Sequence, residues 1–151
     1  MGKIVKLLAK LKGQRVYIDA NYLIYFLDKA ENYIDIVAPI FQSCDRGEFL
    51  AFTGDAAVSE VMVHPYRTKS PSEIARGKAL FRREGFLKVL SHDGSTFDLT
   101  AQIRATSAMR MLDALHLATA LQAGCRYILT NDRDFKSDAS LEVIPISSLL
   151  N

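Results

Sequence analysis

The sequence predicts an α/β fold in three layers, with a central parallel sheet of about five strands covered on both faces by helices. Two observations carry this. Short, largely apolar runs at residues 16–18, 49–52, 86–90, 127–129 and 141–144 alternate with longer stretches whose apolar residues recur at helical spacing. Strands of that kind are buried on both faces, as parallel strands joined by helical crossovers are. The chain's 151 residues and 49% hydrophobic content suit one domain with one packed core.

In chain order, Ile4, Leu7, Leu8 and Leu11 recur at helical spacing between lysines, so residues 3–12 form a short basic amphipathic helix that Gly13 ends. Residues 1–15 are expected to stand as an appendage before the fold proper, which occupies 16–151. Val16-Tyr17-Ile18 is the first strand, and Asp19-Ala20-Asn21 leads from it into a helix carrying Tyr22, Leu23, Phe26 and Leu27. Ile34, Val37, Ala38 and Phe41 mark the next helix, closed by Gly47, and Phe49-Leu50-Ala51-Phe52 the second strand. Thr53-Gly54-Asp55 is read as a turn and cap before a helix bearing Glu60, which His64-Pro65 is expected to stop. Ser70-Pro71-Ser72-Glu73 has the N-cap, N1 proline and first-turn acid of a helix start, and that helix runs through Arg83. A third strand at 86–90, a helix from Ser95 to about Ser107 and one from Leu112 to Gly124 follow. The last two strands come after them. There is no internal repeat and no low-complexity linker.

Composition excludes several classes. The longest apolar stretches fall far short of the ~20 residues of a membrane-spanning helix, and the start lacks the apolar core of a secretion signal, so a cytoplasmic address is expected. Cys44 and Cys125 lack CxxC spacing and read as reduced thiols. The net charge of +2 is small, but the bases cluster at Lys3–Arg15 and Arg67–Lys88. Such runs are ordinarily solvated helix faces. Beside a metal site they would also attract a polyanion.

Four carboxylates sit where an apolar run ends or a helix packs: Asp19, Glu60, Asp113 and Asp132. Such places are costly for unpaired charge unless a cation offsets it, and a divalent metal site is the simplest reason for four of them. In an open parallel sheet, ligands bind beyond the carboxyl ends of the strands, where the strand order reverses. Asp19 follows the first strand and Asp132 the fourth, and right-handed crossovers start the helices of Glu60 and Asp113 at the same edge. Each acid alone has an ordinary explanation, Asp19 as a helix N-cap, Asp113 as a first-turn acid favoured by the helix dipole. Asp113 and His116 share a helical face, but a lone histidine among Ala114, Leu115, Leu117 and Ala118 is read as a hydrogen-bonded core residue outside the metal shell. His64 and His92 fall in loop-like contexts.

These segments together resemble the PIN-domain nucleases, most closely the VapC-type toxins of toxin–antitoxin pairs, from about Val16 to Ile146. Tyr17-Ile18-Asp19-Ala20-Asn21 and Ser59-Glu60 are similar to the first two acidic motifs. The most specific match is Asp113-Ala114-Leu115-His116-Leu117-Ala118-Thr119-Ala120-Leu121 followed by Gly124 and Tyr127-Ile128-Leu129-Thr130-Asn131-Asp132-Arg133-Asp134-Phe135. The resemblance implies a PIN domain over 16–151 with Asp19, Glu60, Asp113 and Asp132 as the catalytic acids. Asp19, Asp113 and Asp132 would ligate metal, with Thr130, Asn21 and Asp134 in support. Oxygen ligands without cysteine suit Mg²⁺ or Mn²⁺, one ion or two. Without metal the acids repel, so at least one is expected to hold a proton near neutral pH.

The implied activity is endonucleolytic hydrolysis of RNA to a 5′-phosphate and a 3′-hydroxyl. The implied partners are an RNA substrate, a small antitoxin that covers the acidic pocket and a second copy of the chain, with no membrane. The basic N-terminal helix departs from typical VapC chains, which keeps an RNA-processing PIN nuclease and a non-catalytic PIN module as alternatives. A haloacid-dehalogenase-like phosphatase would need an acid where Asn21 stands, and the chain has neither GxGxxG nor a P-loop.

Overall fold

In a computed structural model that describes residues 2–131, 135 and 140–150, five parallel strands form one sheet. They are β1 (Arg15–Ile18), β2 (Leu50–Gly54), β3 (Leu87–Leu90), β4 (Tyr127–Thr130) and β5 (Glu142–Pro145), in the order β3-β2-β1-β4-β5. Every neighbouring pair is parallel, with Tyr17 opposite Phe52 on one side and Ile128 on the other. The helices are α1 (Lys3–Leu11), α2 (Ala20–Leu27), α3 (Ile34–Asp45), α4 (Asp55–Thr68), α5 (Pro71–Arg82), α6 (Gly94–Ala105) and α7 (Met111–Gln122), and a 3₁₀ turn spans Ile146–Leu149. The three-layer α/β/α architecture and the sheet of five strands are those expected.

The layers follow from handedness. From β1 the chain steps outward to β2 and β3, then back across to β4, and right-handed crossovers therefore put α2–α5 on one face and α6–α7 on the other. The period of two along each strand fills both faces. Val16 and Ile18 join the core that holds Leu23, Val37, Val61 and Leu80, whereas Tyr17, Phe52 and Ile128 meet Ala114 and Ala120 of α7.

Three local expectations are corrected. Helix α1 is docked on the fold rather than appended to it: Leu7 and Leu11 are buried in the main core, Leu11 completely. Its lysines then lie outside that seam, and Lys10 pairs with Glu142 of the edge strand β5. The helix stops where expected, since Gly13 takes a positive φ of 73° that residues with a Cβ avoid. Second, α4 runs past His64-Pro65 to Thr68. Proline forfeits one backbone hydrogen bond but keeps a helical φ, and the Thr68 hydroxyl donates to the carbonyls of His64 and Pro65, both at 3.2 Å. The helix ends instead at Lys69, which is left-handed at φ 54°. Third, Thr53 and Gly54 finish β2 rather than forming a turn, so α4 starts directly off the strand.

Ser70 caps α5 as expected, accepting from the Glu73 amide. Helix α6 starts one residue before Ser95, under a capping box formed by Asp93 and Thr96. Cys44 and Cys125 are buried free thiols, and burial pushes each up to about 12. Among the described residues no helix is long and apolar enough to cross a membrane.

Candidate active site

The strand order reverses between β1 and β4, and the residues that leave those two strands build a cleft of about 520 Å³. Asp19, Asn21, Glu60, Arg110, Asp113 and Asn131 line it, with Tyr33, Ile146, Ser147 and Leu150 completing its walls. A shallower groove of about 570 Å³ between α6 and α7, lined by Phe97, Arg104 and Met111 among others, contains no carboxylate.

Asp19 is both a cap and a member of the cleft. One oxygen, Oδ1, accepts from the Ala20 amide at 2.7 Å, which opens α2, and Oδ2 accepts from the Thr130 hydroxyl at 2.7 Å. Its own amide donates to the Leu129 carbonyl at 2.9 Å, so the ladder between β1 and β4 extends one residue to fix it. Asn21 performs a similar tie, its Oδ1 accepting from the Asn131 amide at 3.2 Å. Asp113, in the first turn of α7, accepts from Arg110 at 3.2 Å. The Arg110 side chain is 79% exposed, so this pair adds charge at the rim more than stability.

His116, one turn along α7 from Asp113, lies under the cleft at 1% exposure. Its Nε2 is 2.6 Å from Glu60 Oε1 and 3.5 Å from Asp19 Oδ1, and its Nδ1 is 2.7 Å from the Tyr17 hydroxyl. The ligand atoms of Asp19, Glu60 and His116 all lie within 4.8 Å of one another. The expectation that His116 is a buried, hydrogen-bonded residue is met. What the sequence did not reveal is that its partner is one of the acids. The i, i+3 spacing from Asp113 was the available signal, but spacing does not say how deep a side chain reaches.

His92 also has partners. Its Nε2 accepts from the Ala56 amide at the start of α4 at 3.1 Å, and its Nδ1 is 3.0 Å from the Thr119 hydroxyl of α7. That bridge holds together the two helices that carry Glu60, Asp113 and His116. His64 lies within α4.

Burial dominates the electrostatics. It raises the Asp19 carboxyl above the usual range, against the lowering effects of His116, Thr130 and the Ala20 amide, while the Glu60 charge adds a smaller push upward. The upward push on this acid thus comes from desolvation first and from repulsion second. His116 would be lowered by burial, yet the Glu60 hydrogen bond and the charges of Asp19, Glu60 and Asp113 together raise it. Tyr17, pushed well above its ordinary value by burial and then by Asp19, remains a neutral hydroxyl.

Of the acids expected from the sequence, Asp19, Glu60 and Asp113 line one cleft, with Asn21 and Thr130 hydrogen-bonded beside them. Asp132 and Asp134 lie outside the described residues. The donor set suits a hard divalent ion: carboxylates from three elements face one space, and the most buried of them, Asp19, is pushed up first by burial and also by the Glu60 charge.

An open α/β/α sheet with carboxylates gathered at its switch point has the oxygen ligands to suit a hard divalent ion, and the comparisons give the family. The chain belongs to the PIN domain family, whose model matches residues 16–139. Its fold is shared with VapC20 of Mycobacterium tuberculosis, a sarcin-ricin loop cleaving toxin, at a TM-score of 0.63 and 10% identity over 82% of this chain and 91% of that one. A toxin–antitoxin complex from Klebsiella pneumoniae superposes at 0.65 with 15% identity, covering 84% and 95%. DNA-bound VapBC of Salmonella typhimurium gives 0.61 with 20% identity, covering 88% and 98%. No curated protein matches the chain by sequence.

Proposed function

We propose that the chain is a Mg²⁺- or Mn²⁺-dependent endoribonuclease, the toxin of a VapBC-type pair. The observation that carries this is the convergence of Asp19, Glu60 and Asp113 on one cleft at the switch point of a PIN fold. Asp19 and Asp113 would hold the ion, with Asp132 assigned to the same shell by resemblance. Bound there, a divalent ion supplies Lewis-acid activation of water and neutralises charge on the phosphate.

The chain's own groups do the rest. The Thr130 hydroxyl and the Ala20 amide orient the Asp19 carboxylate, so its lone pairs are set before substrate arrives. Glu60, gripped through Oε1, accepts a hydrogen bond from the attacking water and aims it in line with the phosphodiester. Arg110, paired with Asp113, brings positive charge to the rim where a phosphate backbone would lie. Asn21 and Asn131 hold the two strand exits at a fixed spacing.

The partners follow from the same reading. A small antitoxin would cover the acidic pocket, with an arginine among the carboxylates. A second copy of the chain would set two sites along one groove. The test is cleavage of structured RNAs by antitoxin-free protein in Mn²⁺ or Mg²⁺, with EDTA and Asp19→Asn as controls. Cleavage lost in both controls is expected, and cleavage that persists in either rules out the acids as the active centre.

A further inference from the structure

Resting on the nuclease reading, we propose that His116 is a positioning residue that holds Glu60 in its working orientation, with Tyr17 fixing the imidazole from behind. At 1% exposure the ring has no access to solvent, so both nitrogens must find partners in the protein. They do: Tyr17 at Nδ1 and Glu60 at Nε2. An ionised carboxylate only accepts, so Nε2 carries the hydrogen and donates to Glu60. The Tyr17 hydroxyl both donates and accepts, so it satisfies Nδ1 whether or not that nitrogen is protonated. The grip on Glu60 is therefore kept in either state of the ring.

The anchor is rigid where it needs to be. Tyr17 is fully buried in β1, His116 is in the middle of α7, and the Glu60 side chain on α4 is still 35% exposed at the cleft. A glutamate on a solvent-facing helix samples several rotamers, and one short bond to a buried donor selects among them. The same Nε2 lies 3.5 Å from Asp19 Oδ1, so the ring also keeps the two carboxylates at a set separation. Strand β1 and helices α4 and α7 are thus registered to one another through a single side chain.

The experiment is a double-mutant cycle in RNA cleavage with His116→Leu, Glu60→Ala and the double variant, each checked for cooperative unfolding. Loss of a supporting partner of this kind lowers activity by about 10–100-fold. In His116→Leu that loss is expected in kcat with KM little changed, and in the Glu60→Ala background His116→Leu is expected to cost nothing more. His116→Gln, which keeps an N–H donor, should recover part of the loss. Should His116→Leu fail to fold, Tyr17→Phe keeps the ring volume, and ¹⁵N-histidine NMR should show the His116 Nε2–H signal moving in both Tyr17→Phe and Glu60→Gln. Losses that multiply through the cycle, no rescue by glutamine, or an Nε2–H insensitive to Glu60→Gln would each overturn the role. So would pulsed EPR of bound Mn²⁺ showing an imidazole nitrogen that His116→Leu removes, which would make His116 a ligand. Absence of cleavage by the wild type sinks the nuclease reading and this role together, whereas a working wild type with multiplicative losses sinks the role alone.

Discussion

Replacing Gly54 by alanine isolates a clash that the sequence does not announce. Gly54 has φ −124° and ψ 162°, extended backbone open to any residue, so by backbone entropy alone the change should stabilise the fold by about 0.4–1 kcal/mol. The structure reverses that sign. A Cβ placed there would lie 2.6 Å from His92 Cε1 and 3.0 Å from both His92 Nε2 and the Tyr17 hydroxyl. Neither neighbour yields cheaply, because His92 is held by the Ala56 amide and Thr119, and Tyr17 by His116. Overpacking of this kind costs about 1–3 kcal/mol, so with mid-range values the net effect is a loss of about 1.3 kcal/mol, or roughly 3–5 °C in Tm. Gly94→Ala is the control, since nothing lies within 4 Å of its Cβ position in the first turn of α6, and it should be neutral or stabilising. Both are measured by urea unfolding and thermal melting. Equal or greater stability for Gly54→Ala would refute the argument that these two side chains cannot move.

Asp19→Asn should stabilise the metal-free protein at neutral pH. Burial raises the folded-state pKa of this carboxyl, so the group costs nothing below its unfolded value of about 4, and stability falls as pH rises from there through the raised value. The amide removes that loss, so the variant's advantage should vanish at low pH in urea titrations run across a pH series. Mn²⁺ at a hundredfold excess over its Kd should stabilise the wild type by about 2.7 kcal/mol and be reversed by EDTA, with little effect on the variant; equal stabilisation of both would rule out Asp19 as a ligand. Leu11→Ala should cost about 2–5 kcal/mol, because this side chain is fully buried against the main core. A cost under ~1 kcal/mol, typical of surface substitutions, would show α1 to be the appendage that its sequence suggested.

How much of this was legible beforehand depends on the range of the interaction. The alternation of strands and helices, the Ser70 cap, the glycine stops at Gly13 and Gly124 and the placement of Asp19 directly after β1 are short-range features, written in propensity and periodicity, and the sequence by itself determined them. It also brought three acids to one edge, because right-handed crossovers leave little choice of where helices start. The continuation of α4 through Pro65 escaped, since proline keeps a helical φ and the Thr68 hydroxyl bonds that take up the His64 and Pro65 carbonyls leave no trace in the periodicity. Docking of α1 escaped too, because an amphipathic stripe does not name the surface that covers it. Only the tertiary structure decided the order β3-β2-β1-β4-β5, which sets Asp19 beside Thr130, and the pairing of His116 with both Tyr17 and Glu60. Those contacts join residues 56 to 111 positions apart in the chain, and their geometry exists only once three elements are packed around one buried ring.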